Sequence, residues 1–110
     1  MTKVHAMFHL VSAPQCVTNA EGKSYRFQEV ILRGVGENEK EWFNARISGD
    51  DIERIGEKLL GLPVSQQGLP QGEFVATLKH NYSVSERGSR TCYYSRLRLL
   101  DIEPVEQQML

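Results

Sequence analysis

The chain has no long hydrophobic run, few cysteines and no surplus of either charge, and each shortage removes a class of protein. No apolar stretch approaches the ~20 residues that cross a bilayer. The opening "MTKVHAMFHLVSAPQ" is a short apolar patch interrupted by His5 and His9, without the basic start and long apolar middle of a signal peptide. The expectation is a cytoplasmic protein with no membrane partner. Cys16 and Cys92 are the only cysteines, and two thiols in 110 residues make no disulfide framework. No Cys-x-x-Cys pair offers a metal site. His5 and His9 would pair on a helix, but the local pattern is that of a strand, so they read as two exposed strand histidines.

Catalytic signatures are missing too. There is no glycine-rich phosphate loop, no Ser-His-Asp arrangement, and no acidic pair that the pattern places in a shielded pocket. The chain is expected not to be an enzyme and to need no metal or cofactor.

Charge is balanced in sum and unbalanced in place. Thirteen basic against fourteen acidic residues give a net charge of −1, which argues against a generally sticky polyanion binder. Residues 79–98, however, hold Lys79, Arg87, Arg90, Arg96 and Arg98 against one acid, Glu86. Residues 36–57 hold seven acids, among them Asp50, Asp51 and Glu53, against Lys40, Arg46 and Arg54. Such separation allows one basic face on a near-neutral molecule.

The length suits one domain, expected over 1–110 with a short frayed tail from about 104 to 110. From Lys3 to Val17, Val4, Ala6, Phe8 and Leu10 alternate with polar or longer residues, the period of a half-buried strand. "TNAEGKSY" is turn chemistry, and "YRFQEVILRG" (25–34) is a second strand. Its alternation slips near Glu29, where a bulge is expected. In "EWFNARIS" (41–48) Phe43, Ala45 and Ile47 form an apolar face, with Trp42, Asn44 and Arg46 opposite. "SGDDIERIGEKLLG" (48–61) changes to helical spacing through Ile52, Ile55, Leu59 and Leu60, with Asp50 as expected N-cap and Gly61 as stop. A loop (62–72) leads to two strands, 73–85 and 91–102, around the hairpin tip "ERGSR". Arg96 and Arg98 then project from one side, Leu97 and Leu99 from the other.

Three strands, a helix and a hairpin predict an all-β fold: a small five-stranded OB-fold barrel with one short helix between strands 3 and 4. A split sandwich and an SH3-like barrel are the alternatives. Non-specific binding of a single nucleic-acid strand needs cations along the phosphates and flat side chains under the bases. Tyr25, Phe27 and Trp42 are the candidate platforms; Lys23, Arg46, Arg96 and Arg98 are the candidate phosphate rail, with Arg87 and Arg90 at the hairpin tip. For Phe27 the competing assignment is an ordinary core residue.

"EGKSYRFQE", "EWFNARIS" and "SRLRLL", in that order and spacing, resemble the single-stranded DNA-binding proteins of filamentous phages, the gene V type. The resemblance spans roughly residues 19 to 104. It implies DNA contacts by Lys23, stacking by Tyr25 and Trp42, an apolar contact by Phe27, and phosphate contacts by Arg46, Arg96 and Arg98. It also implies a homodimer through the final hairpin, with one of Tyr82, Tyr93 and Tyr94 at the interface. The chain departs from the family in three places: "NAE" stands before Gly22 where the family has an arginine, Arg87 stands where it has a tip aromatic, and 50–72 is longer. The expected function is sequence-nonspecific, helix-destabilising binding of single-stranded DNA in phage or plasmid DNA replication, with RNA the second possible ligand. The alternatives are a primosome-type accessory OB protein and a protein-interaction OB module without a nucleic-acid role.

Overall fold

A computed structural model gives the structure of residues 1–105; for Ser83, Ser85, Arg87 and Tyr94 it describes the backbone alone. The strands are β1 (Thr2–Val11), β2 (Gln15–Thr18), β3 (Ser24–Gly34), β4 (Trp42–Ser48), β5 (Phe74–Arg87) and β6 (Arg90–Pro104). One helix, α1 (Gly49–Leu59), joins β4 to β5. Sheet order is β1-β5-β6-β4-β3-β2, and β1 also pairs with β3. Five strands therefore form a ring, β1-β5-β6-β4-β3, with β2 extending along β3. All pairs are antiparallel except β4 with β6, which meet through Ala45–Leu97 and Arg46–Arg98 alone.

The predicted first strand is two strands, so the sheet has six members where five were expected. Pro14, which has no N–H and a fixed φ, stands in the break. Ser12 secures it: its N–H donates to the Glu29 carbonyl at 2.9 Å, and its Oγ accepts the Glu29 N–H at 3.1 Å. β1 then pairs with Val30–Gly34 and β2 with Ser24–Phe27, so one N-terminal stretch lines the whole of β3.

The bulge sits at His9, between Phe8 and Leu10, and the register of β3 against β4 runs without a shift past Glu29. A single extra residue turns every later side chain to the other face. Val4, Ala6 and Phe8 are accordingly buried, Leu10 is exposed although it shares their period, and Val11 packs on the core. The slip in β3 has a different meaning. Val30 and Leu32 point into the ring, whereas Phe27 is buried outside the core cluster, on the outer face.

Inside the ring Ala45 and Ile47 meet Phe74, Ala76, Leu78, Leu99 and Ile102, closed below by Ile52 and Ile55 of α1. Helical spacing thus placed the helix correctly, with the stop residue Gly61 just past its C-cap, but counted one residue too many on its apolar face. Leu60, the C-cap residue, is exposed. The N-cap position belongs to Ser48, not Asp50, and its side chain makes no capping bond. Asp51 is instead drawn to arginines, as described below. After β3 the chain folds back so closely that a Cβ on Gly34 would lie 2.0 Å from the Asn38 carbonyl oxygen. Only glycine fits there.

β5 and β6 outrun the ring. β1 accompanies β5 no further than Leu78, and β4 leaves β6 at Leu97, so residues 79–96 project as a two-stranded ribbon. The described chain measures 62 × 29 × 22 Å, with a radius of gyration of 16.0 Å. A compact chain of this length has about 13 Å.

Candidate nucleic-acid interface

The outer faces of β3, β4 and β6 line a groove of about 570 Å³. β3 contributes Tyr25 and Phe27 to its wall, β4 Arg46 and Ser48, β6 Arg96 and Arg98, and α1 enters with Gly49 and Asp50. Strand alternation explains the grouping. Phe27 faces Ser48 and Glu29 faces Arg46 across the antiparallel pair, and Arg46 stands beside Arg98 across the parallel one. Gly49 lets the helix start press on β3, where a Cβ would lie 2.9 Å from the Arg26 carbonyl oxygen.

The aromatic and cationic groups are layered. Phe27, 8% exposed, lies under the Arg46 guanidinium, whose Cζ is 4.0 Å from the ring centroid. Tyr25 stands beside Phe27 with centroids 6.0 Å apart and remains 48% exposed. The surface offered to a flat ligand is therefore the Tyr25 ring and the Arg46 plane. Phe27 supports it from beneath, covered where the sequence suggested an open platform.

Each cation has its own circumstances. Arg46 pairs with Glu29 at 3.2 Å. Arg98 is lodged between Asp51 at 2.9 Å and Ser48 Oγ at 3.3 Å, and its Nε is buried without a hydrogen-bond partner. Arg96 is exposed, and no ion pair involves it among the described residues. Arg26, which sequence reasoning passed over, reaches the groove rim and contacts Glu53 of α1. Its signal was weak: an arginine near the polar start of β3, in the phase of Val30 and Leu32 but beyond the ring's core, reads as solvated until the helix is placed against it. Lys23 is exposed in the β2–β3 turn, its N–H bonded to Asn19 Oδ1 at 2.9 Å, next to the groove rather than in it.

Other candidates stand elsewhere. Trp42 is 55% exposed on the outer face of β4, four residues (about 13 Å along a strand) from Arg46. His9 meets it edge-on at 4.7 Å, and Arg33 is its cross-strand neighbour. Between the two stations β4 and β6 diverge, leaving a cleft of about 470 Å³ that shares Arg46 and Arg96 with the groove and adds Asn44 and Ser95. Arg90 lies at the ribbon tip, away from the groove. Arg87 pairs with it through the backbone, but its side chain lies outside the described residues, as does the predicted tail beyond Val105.

Behind the groove, ion pairs fasten α1 to β6. Asp51 also accepts from Arg54 at 3.0 Å; Arg54 reaches Asp101 at 2.9 Å; Lys58 bridges Asp101 at 2.8 Å and Glu103 at 2.9 Å. Burial pushes the Asp51 and Asp101 carboxyls up, but hydrogen bonds and charge from their Arg and Lys partners outweigh it, so both titrate below the ordinary aspartate value. The hydrogen bond from Arg26 likewise holds Glu53 below the usual glutamate value. Among the described residues no helix is long and apolar enough to cross a membrane, and no group of three or more His, Cys, Asp or Glu is placed to hold a metal.

In comparisons with known proteins no family model matches the chain, and no curated protein or solved structure matches it significantly.

Proposed function

We propose that the protein binds single-stranded DNA without sequence preference, coating strands in phage or plasmid replication within the host cytoplasm, with RNA as its second ligand. The observation that carries this is the layered platform: an exposed Tyr25 and an Arg46 guanidinium supported on Phe27, in one groove with Arg96. Bases stack on tyrosine faces and guanidinium planes alike, and each stacked base contributes roughly 1–3 kcal/mol. Arg96 and Lys23 then follow the phosphates, while Trp42 serves as a second stacking station along β4. The free energy comes from stacking and counterion release, and no catalytic step is needed.

The strand connectivity supports reading the ring as an OB-type barrel: a three-strand antiparallel run, a helix, a hairpin, and parallel closure of β4 on β6. The exposed Tyr82, Val84 and Tyr93, which share one face of the ribbon, support a homodimer through the hairpin. One observation favours a second reading, a module that meets an acidic protein partner: several groove arginines already hold carboxylates, which is how such a partner would be bound.

Fluorescence titration with oligo(dT) separates the two readings. Strand binding predicts quenching of tyrosine and Trp42 emission, weakening with salt, much smaller for duplex DNA, and reduced in Tyr25→Ala. No quenching and no binding at low salt would refute it.

A further inference from the structure

Three of the four arginines lining the groove are held by carboxylates of the same chain. Arg26 contacts Glu53, Arg46 pairs with Glu29 at 3.2 Å, and Arg98 pairs with Asp51 at 2.9 Å. The three pairs are not equivalent. Asp51 is 16% exposed and is gripped by Arg54 as well as Arg98, which makes it a strut between helix and strand. Glu29 and Glu53 are 44% and 67% exposed, and each pairs with one arginine. A carboxylate accepts the same forked N–H donors that a phosphate accepts, so a strand entering the groove competes with these two acids for Arg46 and Arg26.

We propose that Glu29 and Glu53 are internal counter-anions of the groove, standing where phosphates of a bound strand stand, so that binding exchanges carboxylate for phosphate at Arg46 and Arg26. The inference deepens the strand-binding reading and rests on it. It has a thermodynamic signature. Each phosphate bound by a free cation releases condensed counterions, which gives the steep salt dependence of nucleic-acid binding. Where a carboxylate must first let go, that carboxylate takes up a cation from solution and cancels much of the release. The salt slope is then shallower than the number of phosphate contacts requires. The exchange also selects the ligand. A lone phosphate gains little by displacing a tethered carboxylate, whereas a strand presents phosphates to Arg26, Arg46 and Arg96 together. The groove is thereby tuned to a polyanionic strand over mononucleotides.

The test measures oligo(dT) binding across a KCl series for wild type, Glu29→Gln, Glu53→Gln and the double variant. Glu103→Gln is the control: it removes the same charge from a carboxylate whose partner, Lys58, is not a groove residue, whereas Glu29 and Glu53 pair with groove arginines. Both carboxylates are partly solvent-exposed, and circular dichroism checks that the variants fold. Exchange predicts binding about twofold to fivefold tighter in each single variant, the change that an exposed ion pair allows. The salt slope steepens by about 0.7 per variant, and inorganic phosphate competes more strongly. In Glu103→Gln the slope stays at the wild-type value. Wild-type binding with affinity and slope unchanged in both groove variants would overturn the exchange and leave strand binding standing. No binding by any of these proteins at low salt would overturn the strand-binding reading, and the exchange with it.

Discussion

The ring and the ribbon are made from the same two strands and treat apolar side chains in opposite ways. Within the ring β5 and β6 bury Phe74, Ala76, Leu78, Leu99 and Ile102 at 2% exposure or less; beyond it they leave Tyr82, Val84 and Tyr93 at 76%, 60% and 78%. In the ring each strand has two neighbours, and side chains from five strands and a helix meet. In the ribbon each strand has one neighbour, and a lone two-stranded hairpin is marginal in water. The ribbon therefore stands on the ring's stability and leaves its apolar side chains open. The groove lies where the two regions join, with rigid ring strands holding Tyr25 and Arg46 and the root of the ribbon supplying Arg96.

That contrast breaks most visibly at Phe74. Phe74→Ala should cost about 3–5 kcal/mol, read as a lower urea midpoint, because it empties the centre of the core. Tyr82→Ser should change monomer stability by less than about 0.5 kcal/mol. If the ribbon mediates the dimer, Tyr82→Ser paired with Tyr93→Ser should lower the mass seen in sedimentation without moving that midpoint.

The next largest effect lies in the groove. Tyr25→Ala should weaken oligo(dT) binding by about 1–3 kcal/mol while leaving thermal stability nearly unchanged. Phe27→Ala should also weaken binding, although Phe27 is covered, because Arg46 loses its support. Phe27→Leu should restore part of the affinity. A purely stacking role for Phe27 would give no such rescue.

The smallest effect is in the ion pairs behind the groove. Asp51 and Asp101 titrate below the ordinary value in the folded chain, so on acidification the unfolded state takes up their protons first. Their contribution is complete above about pH 5 and is lost as pH falls through the lowered folded values. These pairs are partly exposed, so each carboxylate accounts for about 1 kcal/mol or less. Thermal unfolding at pH 7 and pH 3 checks this. The acid-induced drop should be smaller in Asp101→Asn than in wild type.

Much of the ring was legible as alternation. The inward set Ala45 and Ile47, the outward set Trp42 and Arg46, the helical pair Ile52 and Ile55, and the hairpin all follow from periods of two and 3.6. What escaped depends on neighbours that no local window contains. The bulge at His9 exists because β1 must fit β3, and it reverses the fate of Leu10. Phe27 is buried because Arg46 of the adjacent strand covers it, and its own strand carries no sign of that. Glu53 and Asp51 read as acids suited to a helix's first turns, yet they hold Arg26 and Arg98 of strands distant in sequence. The candidate platforms, seen as one set in the sequence, divide in space into Tyr25 beside Phe27 at one station and Trp42 with His9 at the other.

The most direct test of the groove is amide chemical-shift mapping of the ¹⁵N-labelled protein during titration with a short oligo(dT) at low salt. Strand binding in the groove predicts shifts centred on Tyr25–Phe27, Arg46–Ser48 and Arg96–Arg98, with Trp42 following as the oligonucleotide lengthens and the interior of the ring silent. Shifts confined to the ribbon tip or to the far side of α1, with the Tyr25 and Arg46 amides unmoved, would contradict it.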